Sequence, residues 1–168
     1  PGILGRTCDR PCEPACRRTR THEKPVAICR LKRVAADFKD DVANLLPKAP
    51  SKSNGKKVAL IGGGPASLTV ARDLIVMGYE CTLFEKDPQA GGLMRTNIPS
   101  FRLPEEVLDA EVDQIIEMGL NTKFNSEITS LKNFLNEDFD AVFVGTGAPK
   151  GKDLNIEGRK EAEKNIHI

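Results

Sequence analysis

The chain has 168 residues, 25 of them Lys or Arg against 24 Asp or Glu, for a formal net charge of +1. That length can bury a core without disulfide staples, and the near-neutral balance gives no support to nucleic-acid binding or to an acidic tail. No stretch approaches the roughly 18 apolar residues of a membrane span, and the first 24 residues lack the apolar core of a signal peptide. A soluble, cytoplasmic protein is therefore expected. Because the chain begins at Pro1 and not at Met, a piece of a longer polypeptide is expected too.

The first segment, up to about Lys24, is rich in Pro, Arg and Cys and has no apolar periodicity. Up to Arg33 the basic residues are Arg6, Arg10, Arg17, Arg18, Arg20, Lys24, Arg30, Lys32 and Arg33, opposed only by Asp9, Glu13 and Glu23. Such charge is either a solvated face or a field that stabilises thiolates and an anionic metal centre. Cys8, Cys12 and Cys16 stand four apart in TCDRPCEPACRR, and Cys29 follows in PVAICRLKR. In a reducing compartment clustered cysteines are more often metal ligands or redox groups than staples. The C-x3-C-x3-C-x12-C spacing lacks the tight knuckles of most zinc sites and favours an iron-sulfur centre. Zinc, disulfides and structural thiols are the rival readings.

Residues 25 to 46 predict one helix, with Ile28, Leu31, Val34, Ala35, Phe38, Val42, Leu45 and Leu46 on a single stripe to be buried. Pro25 suits its first turn and Pro47 ends it. Cys29 falls near its start, where the helix dipole favours a thiolate. Residues 48 to 57 are polar, rich in turn formers, and read as a linker.

Beyond the linker, strands and helices alternate, which means a parallel sheet with helices on its faces. VALIG is a strand, PASLTVARDLIVM a helix closed by Gly78, and YECTLFEKD a second strand. A loop from Pro88 to Leu103 leads to the helix PEEVLDAEVDQIIEM, with Pro104 at its start and Gly119 past its end. NTKFNSEI, a short helix at SLKNFLNE, and the buried strand DAVFVGTGA follow. Glu105, Glu106, Asp109 and Glu111 read as a helix N-terminus and a solvated face, Cys81 as core, and His22 and His167 as isolated residues.

Gly62, Gly64 and Ser67 occupy the positions of G-x-G-x-x-G/A between the first strand and its helix. In that pattern the first glycine permits the tight turn, the second admits a pyrophosphate, and the third residue must be small for helix-strand contact. Ser67 departs from the pattern but fits by size. Glu85 closes the next strand at the spacing where a carboxylate meets an adenosine ribose. The bland alternative is a glycine-rich turn beside a solvated acid. Gly91 and Gly92 offer a second side-chain-free surface, and Gly145, Thr146 and Gly147 lie at the strand end where parallel sheets bind ligands. A simple NAD domain needs neither feature, so together they favour FAD. The candidate cofactor-binding set is thus Gly62, Gly64, Pro65, Ala66 and Ser67 at the first turn, and Glu85 and Lys86 after the second strand. Gly91, Gly92, Leu93 and Arg95 extend it through the next loop, and Gly145, Thr146 and Gly147 complete it. No catalytic residue is assigned.

In these motifs the chain resembles the glutamate synthase small (beta) subunit family, with formate-dehydrogenase-associated flavoproteins and the N-terminal half of dihydropyrimidine dehydrogenase. The matching segments are GRTCDRPCEPACRR, KPVAICRLKR, GKKVALIGGGPASLTVARDL, FEKDPQAGGLMRTNIPSFRLPEEVL and FDAVFVGTGAPKGKDLNI. Thr96 and Asn97 depart from the family pattern before the Ile-Pro step.

The resemblance implies a helical iron-sulfur segment over residues 1 to 50, then the first part of a Rossmann-like FAD domain over 55 to 168, incomplete at its C-terminal end. NADPH would reduce FAD, and electrons would leave through 4Fe-4S clusters to a larger catalytic subunit or domain. The NADPH site is expected outside this chain. Cys8 and Cys12 match ligands of one cluster and Cys16 of another, with Cys29 placed to complete the first. On that basis the piece alone is expected to bind FAD weakly and to oxidise no NAD(P)H. Two other readings stand beside it: a zinc-stapled nucleotide-binding interaction module without redox chemistry, and a plain NAD dehydrogenase fragment.

Overall fold

The structure is a computed structural model that describes residues 1–42, 45–151, 157–159, 161 and 164. The N-terminal segment contains a helix α1 (Gly2–Thr7) that sequence periodicity does not reveal, then a 3-10 turn (Arg17–Arg20) and α2 (Ile28–Asp37). A six-residue helix with two glycines has little intrinsic stability, so tertiary packing must hold it. The glycines supply the packing. A Cβ at Gly5 would come within 2.7 Å of the Arg33 backbone of α2, and one at Gly2 within 2.9 Å of Val107. Arg6 adds an ion pair of 2.8 Å to Asp37 at the end of α2.

The long helix expected over 25 to 46 is corrected: α2 spans Ile28–Asp37 and is capped by Phe38. Ala43 and Asn44, in its expected last turns, lie outside the described residues. Its stripe is not buried either. Leu31, Val34 and Phe38 face solvent, and Cys29 is the buried residue of the helix. The face that packs on α1 is the one carrying Cys29, so the larger side chains turn outward.

The remaining elements follow the alternation. They are β1 (Lys57–Ile61), α3 (Pro65–Val76), β2 (Glu80–Phe84), α4 (Leu93–Thr96), α5 (Glu105–Ile116), β3 (Asn121–Lys123), α6 (Leu131–Phe134) and β4 (Ala141–Val144). The four strands are parallel in the order β3-β2-β1-β4. Parallel strands need crossovers that cover the sheet, and α3 and α5 cover one face. There Val58, Leu60, Cys81 and Leu83 pack with Leu68, Ala71, Ile75, Leu108 and Val112. On the other face Ala59, Ile61 and Phe84 meet Phe134, with the two rings edge to face at 4.9 Å. Central β1 is thus buried on both faces, as its unbroken apolar run requires.

The expectation of a buried strand at DAVFVGTGA is corrected in one respect: β4 is an edge strand, with Ala141 and Val144 exposed and Val142 and Phe143 half-buried. The segment before β1 docks onto the end of α3, where Asn54 donates its N–H to the Gly78 carbonyl at 2.9 Å. Gly78, at φ +86, makes that chain reversal. No helix among the described residues is long and apolar enough to cross a membrane.

Candidate functional site

At the C-terminal edge of the sheet the chain leaves β1 through Gly62, whose φ of +94 favours glycine. A Cβ there would also come within 2.6 Å of the Gly145 carbonyl at the end of β4. Gly62 donates its N–H to the Phe84 carbonyl, and Gly145 donates to Ile61, both at 2.8 Å. The turn is therefore clamped between the ends of β2 and β4. Gly63 donates to a Glu85 carboxylate oxygen at 2.5 Å, and the other oxygen accepts the Asp87 N–H at 3.0 Å. Glu85 is buried; its carboxylate holds the turn as well as facing the cleft, so it is not the solvated strand end of the bland alternative.

Gly64 caps α3 with φ −76 and ψ 177, a backbone geometry that any residue adopts. A Cβ there would meet nothing within 4 Å, because it would point into a cleft of about 670 Å³. Across that cleft Gly92, at φ +53, presses against Gly64: a Cβ on Gly92 would lie 2.9 Å from the Gly64 Cα. Gly91 donates its N–H to the Gly63 carbonyl at 2.8 Å. Two glycine turns are thus pinned backbone to backbone at the N-terminus of a helix whose Pro65 needs no N–H partner. The result is a side-chain-free cradle at the positive end of a helix dipole, which suits a pyrophosphate.

Of the predicted cofactor set, Gly62, Gly64, Pro65, Ala66, Glu85 and Lys86 line this cleft, joined by Gly92, Leu93, Gly145, Thr146 and Gly147. Ser67, Gly91 and Arg95 do not. Ser67 lies beneath the turn, fully buried, with a hydroxyl that has no hydrogen-bond partner. Arg95 points away to Asp109. Sequence reasoning missed Gly63, Thr96, Phe143 and the run Ser126, Glu127 and Ile128, all of which line the cleft. The last three were findable, since they follow β3 at the edge where open parallel sheets place ligands.

The cysteines do not gather into one centre. Among the described residues no three His, Cys, Asp or Glu side chains form a group that could hold a metal ion. Cys12 is exposed, Cys8 and Cys16 half-buried, and all are free thiols. A backbone hydrogen bond from Val26, then one from Arg18, holds the Cys16 thiol below its ordinary range. The Cys8 sulfur accepts the Arg10 N–H at 3.4 Å. Cys29 is buried between α1 and α2 and donates its S–H to the Gly5 carbonyl at 3.3 Å. The Cys29 N–H donates to the Glu13 carboxylate at 3.0 Å, so Glu13 caps α2 from the cysteine loop.

A parallel sheet with two pinned glycine turns at its C-terminal edge and a buried acid after the second strand defines a Rossmann-like fold with the cleft geometry of a dinucleotide site. In agreement, residues 60–126 match the NAD(P)-binding Rossmann-like domain. More particularly, the chain is similar to the glutamate synthase small chain and to related oxidoreductase subunits. It is 36% identical over 171 residues to the glutamate synthase [NADPH] small chain of Bacillus subtilis (strain 168), covering 99% of this chain and 34% of that protein. It is 41% identical over 160 residues to an NAD-dependent dihydropyrimidine dehydrogenase subunit PreT homolog of Salmonella typhi, covering 91% of this chain and 38% of that one. To the NADP(+)-dependent formate dehydrogenase subunit beta of Moorella thermoacetica it is 39% identical over 185 residues, covering 95% of this chain and 26% of that one. The chain therefore spans only 26% to 38% of the length of these relatives.

Proposed function

We propose that this chain is part of a cytoplasmic NAD(P)H-dependent oxidoreductase that holds FAD in the cleft and passes electrons through 4Fe-4S clusters to a larger catalytic subunit or domain. The observation that carries the reading is the cradle itself, in which Gly64 opens onto the cleft while Gly92 closes against it. The homologues named above, each a subunit or chain of an oxidoreductase by its description, supply the reaction class.

In this reading the residues divide the work along the cleft. Gly64 and the first turn of α3 take the pyrophosphate, because their free N–H groups and absent side chain allow close approach. Glu85 accepts hydrogen bonds from the adenosine ribose. Gly145, Thr146 and Gly147 wall the flavin side, where a Cβ at Gly147 would meet nothing within 4 Å. FAD, when bound, would supply hydride acceptance and one-electron chemistry. The nicotinamide cofactor would bind outside these residues. Cys8 and Cys12 would serve one cluster and Cys16 the other, each set completed by further ligands, with Cys29 a member of the first only after its thiol leaves the Gly5 carbonyl.

The test uses the complete polypeptide. Gly64→Val should abolish FAD binding in a flavin-fluorescence titration, and unchanged affinity would overturn the cradle assignment. Anaerobically purified protein should contain iron and acid-labile sulfide in equal amounts. Zinc in their place would overturn the cluster reading.

A further inference from the structure

Arg95 lies on α4, immediately after the Gly91–Gly92 turn, yet its side chain runs behind that turn and not into the cleft. Its Nε donates to the Ala90 carbonyl at 3.0 Å, and its Nη2 donates to the Asp109 carboxylate on α5 at 2.6 Å. The Arg95 side chain is 16% exposed and sits over Gly91, where a Cβ would come within 3.3 Å of its Cβ and Nε. It borders a second hollow of about 350 Å³, shared with Ala90 and Asp109 on the far side of the turn.

Gly91 and Gly92 have φ values of +136 and +53, so the turn has no side chain of its own to fix it. In front, the Gly91 N–H bonds to the Gly63 carbonyl, while the Gly91 and Gly92 carbonyls accept the N–H groups of Met94, Arg95 and Thr96 in α4. Behind it, the guanidinium ties the carbonyl entering the turn to a carboxylate on the long helix α5, an element outside the turn's own backbone bonds. A forked, charge-assisted donor suits that task, because its two bonds have a set mutual geometry.

We propose that Arg95 is a positioning residue for the dinucleotide site: anchored on Asp109, it holds the Gly91–Gly92 turn against Gly64 and thereby sets the width of the pyrophosphate cradle. This rests on the cleft being the cofactor site. Arg95 does not touch the ligand. Its effect should therefore appear in affinity, depend on Asp109, and need both of its hydrogen bonds.

The experiment titrates the apo form of the complete polypeptide with FAD. The proteins compared are wild type, Arg95→Ala, Arg95→Lys, Asp109→Ala, the Arg95→Ala/Asp109→Ala double variant and Gly64→Val, with the unfolding midpoint of each apo protein measured alongside. Arg95→Ala should weaken FAD binding about tenfold, the scale of one charge-assisted hydrogen bond, with a midpoint close to wild type. Asp109→Ala should lose a similar factor, and the double variant should lose no more than Arg95→Ala alone. Arg95→Lys keeps the charge but not the fork, so it should recover only part of the affinity. If Gly64→Val loses FAD while Arg95→Ala binds as wild type, the inference falls and the cleft assignment stands. Losses that add in the double variant, or that only follow the fraction unfolded, overturn it as well. If Gly64→Val binds FAD normally, the cleft assignment itself falls.

Discussion

The Ser67 hydroxyl lies directly under Gly145, so close that a Cβ on Gly145 would overlap it. Ser67 is the third position of the glycine fingerprint and Gly145 the first residue beyond β4, so this contact sets how near α3 stands to the far wall of the cleft. The hydroxyl has no hydrogen-bond partner, and an unpaired buried hydroxyl costs roughly 1–3 kcal/mol. Ser67→Ala should therefore be neutral or stabilising. Gly145→Ala should destabilise by about 1–3 kcal/mol through overpacking, and Ser67→Gly should relieve part of that loss. Chemical denaturation of Ser67→Ala, Gly145→Ala, Ser67→Gly and the Ser67→Gly/Gly145→Ala double variant checks this. Additive effects would show that the two residues do not meet.

In the proposed reading, Glu85 bears on which nucleotide the cleft accepts. A 2′-phosphate beside this buried, already occupied carboxylate would bring two negative charges together away from water, where their repulsion is little screened. Competition against FAD should then favour 5′-AMP over 2′,5′-ADP by about tenfold or more, given the cost of an unpaired buried charge. Glu85→Gln should narrow that ratio. Equal competition by the two nucleotides would show that Glu85 does not face the ribose.

The cysteine arrangement makes a spectroscopic prediction. If the two-cluster partition proposed above holds, serine at Cys8 or Cys12 should remove one cluster's paramagnetic signal and leave the other, and serine at Cys16 should do the reverse. Equal loss of one signal in all three variants would mean a single four-cysteine centre, which requires a different arrangement of residues 8 to 29.

Asp140 ties the start of β4 to the start of β1. It accepts the Lys56 ammonium at 2.6 Å and the Lys57 N–H at 2.8 Å. The Lys56 hydrogen bond first, then the Lys57 backbone, holds its carboxyl below the ordinary carboxylate range. A carboxyl whose folded value is depressed contributes stability that is fully present above its unfolded value, about 3.9, and is lost as pH falls through the lower folded one. Asp140→Ala should lower stability at neutral pH and flatten the acid limb of the stability profile below about pH 4; because the hydrogen bond to Asp140 is also what raises the Lys56 ammonium, the alkaline limb should flatten as well. An unaltered acid limb would mean that the clamp contributes nothing.

The glycine fingerprint could be read directly because its parts are local: Gly62 and Gly64 bracket one turn, and Glu85 follows one strand later, so spacing along the chain is also spacing in space. Arg95 shows where that reading stops. Its neighbours in sequence line the cleft, but the direction of its side chain is set by Asp109, a full loop and a helical turn away. The same holds for Asp109 and Glu111, which read as a solvated face yet pair with Arg95 and with the Gly2 N–H. Helix lengths failed for a related reason. The stripe from Ile28 to Leu46 satisfies helical periodicity, but α2 extends only while α1 lies alongside, and α1 owes its existence to Gly2 and Gly5, residues that argue against a helix when taken singly.

The placement of β4 has a consequence for the order in which the protein assembles. The Lys57 N–H and the Asp140 carboxylate that join β1 to β4 are 83 residues apart in the chain, and contacts of such long range form late, since the intervening loop must close first. During synthesis the Gly62 turn and its helix are exposed long before Gly145 arrives to clamp them. The nascent chain should thus pass through a stage with β1, α3 and β2 already paired but one wall of the cleft missing. A cofactor supplied at that stage would have half a site to grip, so its capture should follow the arrival of β4 and not guide it.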